Sequence, residues 1–220
     1  MNTNTKTILG WALIIGPILF HIFFGIFYGD TDPTIATSEE FLKQASDNIL
    51  LSKILVVGGN ATMVFVAGAL FVFASFLASN SHSPAYGLFS AFFFLILGAN
   101  VIESGATELT ALEFYDQGNI NQAVDVFNST LSESGGMFSL ILAAGMISLR
   151  SAIIKTEEVI GSGKIFKIVN YGLLAAGLLH LLFPFLASLG DSFEALGFLG
   201  WIGGWLIIVL LGVGILRTRE

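Results

Sequence analysis

The chain contains no cysteine. Disulfides, thiolate metal sites and cysteine nucleophiles are therefore excluded. Charge is almost as scarce: 11% of the 220 residues are charged, and nine are basic. A soluble domain carries about a quarter of its residues as Asp, Glu, Lys or Arg, so this chain lacks the means to cover a water-facing surface. No basic patch is present to neutralise phosphates, which argues against nucleic acid as a partner. The sequence has no H-E-x-x-H or paired-histidine motif, no motif for a Ser-His-Asp hydrolase, no internal repeat and no low-complexity segment. A retinal-type Schiff base needs a lysine within a span, and Lys53 sits only at a span edge.

What the chain has in quantity is hydrocarbon. Hydrophobic residues make up 55% of it, and the mean hydropathy is +0.84. The apolar runs are continuous and do not alternate, which excludes a β-barrel. Each run is long enough to cross a bilayer, for which about 20 residues suffice. The expected fold is all-α: a polytopic bundle of six transmembrane helices forming one domain over residues 1–220. The spans are read as Thr7–Tyr28, Ser52–Ala78, Ala85–Leu112, Gly135–Ile153, Ile168–Leu189 and Phe193–Leu216. The first is expected to be a retained span, being long for a signal sequence and followed by no A-x-A-like cleavage site. The third is long enough to tilt or to project from the membrane.

The connections differ in charge. Residues 29–51 hold Asp30, Asp32, Glu39, Glu40 and Asp47 against Lys43, and residues 113–134 hold four acids and no base. The turn before the last span holds Asp191 and Glu194. Lys6, Arg150, Lys155, Lys164, Lys167, Arg217 and Arg219 lie at the opposite ends of the spans. The positive-inside rule then places both termini in the cytoplasm. In the first acidic loop, TSEEFLKQ predicts a short helix capped by Thr37 or Ser38. In the second, Ile120, Val124, Phe127 and Leu131 recur at helical spacing. They predict either a helical lead-in to the fourth span or an amphipathic segment over the bundle mouth. Gly59, Met63 and Ala67, and the Gly200–Gly204 pair, mark close-packing seams. Trp11, Trp201 and Trp205 are placed at the membrane interfaces.

The stretch ILGANVIESGATELTALEF raises the functional question, because it carries Asn100, Glu103, Thr107 and Glu108 into a greasy span. An ionisable residue there is a functional hypothesis by default. At 1.5 Å per residue, Glu103 lies about 6–8 Å beyond the midpoint of its span towards the outer face. On the same scale His21 lies about 5 Å, Asn60 about 7 Å and His180 about 3–5 Å outward in their spans. Four spans thus contribute a polar group to one layer. Asn100, Glu103 and Thr107 share a helix face, and that face is expected to point inward, with His21, Asn60 or His180 as partner. Glu108 and Glu113 are expected to reach outer water, and His82 to be solvated in an inner turn.

Several chemistries fit such a layer. One is a non-enzymatic polar pocket, opening outward, that binds or conducts a small ligand or protons. Another is a membrane redox or hydrolytic enzyme holding haem or a metal at His21, His180 and Glu103. A third is a structural subunit of a membrane complex or homo-oligomer, in which the polar residues serve as interhelical glue. Pro17 and Pro184 supply kinks in the two histidine-bearing spans.

The layout also resembles an uncharacterised bacterial family of small six-span integral membrane proteins, a domain of unknown function. The resemblance is carried by MNTNTKTILGWALIIGPIL at the start, SDNILLSKILVV, YGLFSAFFFLILGANVIES, FNSTLSESGGMFSLILAAGMISLRSAII and KIFKIVNYGLLAAGLLHLLF. It implies the six-span fold and a bacterial inner membrane. It implies no activity and no site residues, and family members vary where Glu103 and His180 stand.

The charge pattern makes the topology testable. A reporter fused after Arg219 is expected to report the cytoplasm, and one inserted at Asn119 the outer face; the opposite pair of signals reverses the assignment.

Overall fold

The computed structural model describes residues 1–28, 37–156, 164–186 and 191–217, without the side chains of 130–136, 186, 191–195 and 197. Asp30, Asp32 and Arg219, and the side chains of Glu133, Asp191 and Glu194, lie outside that description, and with them part of the charge pattern above. Seven helices are formed among the described residues. They are α1 (Thr3–Tyr28), α2 (Ser38–Ser46), α3 (Ile49–Ser79), α4 (Ala85–Asp116), α5 (Ile120–Lys155), α6 (Lys164–Leu186) and α7 (Asp191–Arg217). All but α2 are long and apolar enough to cross a membrane. The chain is an all-helical integral membrane protein with six candidate spans, as its apolar runs predict.

Each spanning helix lays one stripe of residues on the core. On α1 these are Leu9, Leu13, Gly16 and Phe20; on α6 they are Phe166, Val169, Leu173, Ala176 and His180. Both follow the three- and four-residue spacing of a helix with one buried face. The opposite faces are apolar and open: Phe89 is 58% exposed, Leu95 59% and Leu206 59%. In water such surfaces would be a liability, whereas in a bilayer they are the lipid contact.

The spanning helices close into a ring. Each packs on the next span in sequence, and α7 returns to α1. Small residues set the closest approaches. A Cβ on Gly212 would lie 2.7 Å from the Gly10 carbonyl oxygen, and one on Gly87 2.8 Å from the Ala74 carbonyl oxygen. These crossings close α7 on α1 and α3 on α4. The seams expected from sequence are used as well. Gly200 faces Leu179 of α6, and Gly204 faces Met146, His180 and Ala176. Within the interior, the buried Ser90 hydroxyl donates to the Gly145 carbonyl at 3.1 Å and ties α4 to α5.

α4 and α5 have 32 and 36 residues, or about 48 and 54 Å at 1.5 Å per residue. Both exceed a hydrocarbon core of about 30 Å and project at the same end. The lead-in to the fourth span is therefore continuous with it, as one of the two sequence readings predicted. α2 lies in the crook of these overhangs. Its buried Phe41 and Leu42 join Val56, Leu112, Ala123 and Phe127 in a second apolar cluster. Phe41 stacks on Tyr28 at 5.1 Å and on Phe127 at 5.0 Å between centroids. Thr37 caps α2 in a capping box with Glu40. The Thr37 backbone and hydroxyl hold the Glu40 carboxyl below its ordinary range. The cap is thus intact above the ordinary carboxylate range and is lost as pH falls through the lowered value.

Two placements differ from the sequence expectation. Trp205 is 4% exposed, and Trp201 packs against Phe20, Phe138 and Trp205. Both indoles are in the interior, because the GxxxG face of α7 that carries them turns towards α6 and α1. Only Trp11, 50% exposed, keeps an outward position. His82 is exposed in the turn between α3 and α4, as expected.

The ring closure predicts an asymmetry among glycines. Gly212→Val places atoms against the Gly10 carbonyl and is expected to destabilise by about 1–3 kcal/mol, the usual cost of overpacking. Gly68→Ala meets nothing within 4 Å and is expected to leave the melting temperature of the detergent-purified protein unchanged or raised. Equal melting of the two variants would contradict the α1–α7 closure.

Candidate functional site

The half of the bundle nearest α2 contains a cavity of about 410 Å³. Its walls come from the C-terminal half of α1, the N-terminal half of α3, the C-terminal half of α4, and single turns of α5, α6 and α7. Most of the wall is aromatic or aliphatic, including Phe20, Phe24, Phe27, Phe138, Phe183 and Trp201. The polar members are Tyr28, Asn60, Asn100, Ser104, Glu108 and Ser139.

Glu108 is the centre of this polar set. Its Oε1 accepts a hydrogen bond from the Tyr28 hydroxyl at 3.0 Å. Its Oε2 accepts one from Asn60 Nδ2 at 3.3 Å. The same Asn60 nitrogen donates to the Val56 carbonyl at 2.9 Å. Both partners of that nitrogen are acceptors only, so the amide orientation follows from its bonds. Three helices are joined by this one carboxylate: α1 through Tyr28, α3 through Asn60, and α4, which bears it.

Gly105 makes the arrangement possible. It sits on α4 three residues before Glu108, and a Cβ there would lie 2.7 Å from Asn60 Cγ and 2.9 Å from Nδ2. Asn60 lies in the space that a side chain at 105 would fill.

Of the six candidates named from sequence, two reach the cavity wall. Asn60 does so as a partner of Glu108. Asn100 does so with its Oδ1 buried and without a partner. His21 and His180 are not on the wall but flank Trp201, which is, at 6.4 and 6.2 Å between ring centroids. Each imidazole has Nδ1 against a carbonyl of its own helix: His21 on Pro17 at 2.7 Å and His180 on Ala176 at 2.8 Å. A carbonyl only accepts, so each ring donates from Nδ1. Nε2 of His21 is buried without a partner. His180 is 4% exposed and packs across the Gly204 gap.

The remaining two candidates do not join the cavity. Glu103 is exposed, and its side chain makes no hydrogen bond among the described residues; Thr107 bonds only the Glu103 carbonyl, at 2.9 Å. The expectation of an inward-facing Glu103 is therefore corrected. The reason is helix phase. Phe94, Leu97, Val101, Gly105 and Leu112 are the buried stripe of α4. At about 100° per residue, Glu103 lies half a turn from the centre of that stripe, whereas Glu108 lies within it. Glu108, read from sequence as reaching outer water, is the carboxylate that faces inward. Its signal was available in the stripe's continuation past the polar stretch to Leu112. Among the described residues no three His, Asp or Glu side chains gather as a metal site, so His21, His180 and Glu103 do not form the triad considered above.

No family model, curated protein or solved structure matches the chain.

The Gly105–Asn60–Glu108 arrangement predicts coupling. Gly105→Ala is expected to cost about 1–3 kcal/mol by displacing Asn60. Asn60→Ala removes the obstructed side chain, so the double variant is expected to be clearly less destabilised than the sum of the singles. Additive losses in thermal unfolding would show that the two residues do not compete for this space.

Proposed function

We propose that this protein binds a small ligand in the intramembrane cavity and that it does so in a bacterial inner membrane, as a member of the six-span family it resembles. With both termini cytoplasmic, the α2 end is the outer end, and the cavity belongs to the outer half of the bundle. Binding is the role we assign, with release of the ligand or of a proton towards the outer face as its natural extension.

The observation that carries the reading is the cavity with its polar groups gathered from four helices. Interiors are close-packed, and this hollow, open at its rim, interrupts that packing. A volume of about 410 Å³ falls in the range of about 300–1,000 Å³ typical of small-molecule sites. Its composition fits the same class, with a mostly apolar lining and a few convergent polar groups. Interhelical glue alone accounts for Tyr28, Asn60 and Glu108 pairing, but it leaves the space beside them unexplained.

Trp201 on the wall supplies the test. In a Trp11→Phe background, a brominated alkylphenol titrated into the detergent-purified protein is expected to quench saturably the joint emission of Trp201 and its neighbour Trp205, 5.4 Å away between ring centroids. Ser104→Phe, which fills the wall, is expected to abolish the saturable component. Quenching that grows linearly and is the same in both proteins would mean partition into the micelle and would contradict a binding site.

A further inference from the structure

We infer that the ligand is a hydrophobic organic cation, an amine or quaternary ammonium ion, with its charged end against Glu108. The inference rests on the reading of the cavity as a ligand site and adds the chemical class.

Charge is the first support. Glu108 lies on the wall and receives two hydrogen bonds, both from neutral groups. Among the described residues the one salt bridge is Lys53 Nζ to Glu113 Oε1 at 3.8 Å, one helical turn further along α4. Among the described residues Glu108 therefore has no cationic partner, and no Lys, Arg or His lines the cavity. A carboxyl withdrawn from water either keeps its proton or needs a counter-charge to ionise. A ligand that brings a positive charge supplies what the bundle does not.

The second support is the free polar atom. Asn100 Oδ1, also on the wall, is a buried acceptor without a donor. An ammonium N–H, or the polarised C–H groups around a quaternary nitrogen, suits an acceptor, whereas an anionic group does not.

The third is the rest of the wall. Phe20, Phe24, Phe27, Tyr28, Phe138 and Trp201 surround the space. Aromatic rings attract organic cations through their quadrupoles and accommodate the hydrocarbon attached to them. An anion would meet a carboxylate and no base. A neutral apolar molecule would fit the walls but make no use of the Glu108 carboxyl. A hard metal ion requires about six oxygen ligands, and no cluster of acids is gathered here among the described residues.

Three shape-matched probes test the class: a phenylbutyl trimethylammonium ion, its neutral isostere with carbon in place of nitrogen, and the corresponding phenylalkyl carboxylate. Each is titrated into the Trp11→Phe protein in non-ionic detergent, with the joint emission of Trp201 and Trp205 as readout. The cation is expected to bind about tenfold or more tightly than the neutral isostere, a difference of about 1.4 kcal/mol, and the carboxylate not to saturate. Glu108→Gln is expected to reduce the cation's advantage to about twofold or less, and Glu108→Asp to retain most of it. Should the neutral isostere bind as well as the cation, the cation class is wrong while the binding site stands. If none of the probes saturates, the binding site and the class fall together. The comparison within the unsubstituted site decides the matter even where Glu108→Gln fails to fold.

Discussion

Hydrocarbon offers no hydrogen-bond partners, and this constraint organises the whole bundle. Backbone groups meet it by forming six long helices. Side-chain polar groups meet it by bonding within their own helix, as His21, His180, Thr62 and Thr107 do, or by reaching across to another. Reaching across requires that helices approach closely. Gly105 permits it between α3 and α4, where Asn60 meets Glu108, and in the other half of the bundle Ser90 reaches the Gly145 carbonyl. Small residues and polar pairs are thus two parts of one solution.

The Glu108 centre links the bundle to its cap. Tyr28, which donates to Glu108, also stacks on Phe41 of α2, and Phe41 stacks on Phe127 of α5. Tyr28 in turn contacts Phe24, which contacts Phe20, and Phe20 packs on Trp201. A continuous series of rings therefore runs from the cap, along the cavity wall, to the interior indoles and the two histidines beside them. Occupancy of the cavity and the position of α2 share Tyr28 as a common element.

Much of the fold was legible in the sequence because long apolar runs leave a membrane helix few alternatives. The six spans were readable from spacing and composition, as were a cap at Thr37 or Ser38, a helical lead-in to the fourth span as one of two readings, and a close-packing seam at Gly200 and Gly204. Asn60 and Asn100 both line the cavity, at depths that counting residues along a helix gives. Depth does not fix rotation. Glu103 was chosen for its depth and faces outward, while Glu108 has the correct phase but was assigned to water because it comes late in the span. The extent of α4 beyond the hydrocarbon explains the difference: packing against α2 and α5 keeps the overhang buried, so a late residue is still an interior one. The interior placement of Trp201 and Trp205 was missed for a related reason, since interfacial preference gives way where a helix turns its indoles towards close-packed neighbours.

The central claim is that Glu108, and not Glu103, is the carboxylate facing the interior of the bundle. The absence of cysteine makes it directly measurable. Single cysteines introduced along residues 97–112 and labelled with a nitroxide report oxygen accessibility in a bilayer, residue by residue. High accessibility is predicted at 102, 103 and 106, with minima at 101, 105 and 112 and a low value at 108. A minimum at 103 with high accessibility at 108 would contradict the rotation of α4, and with it the polar centre and the cavity built around it.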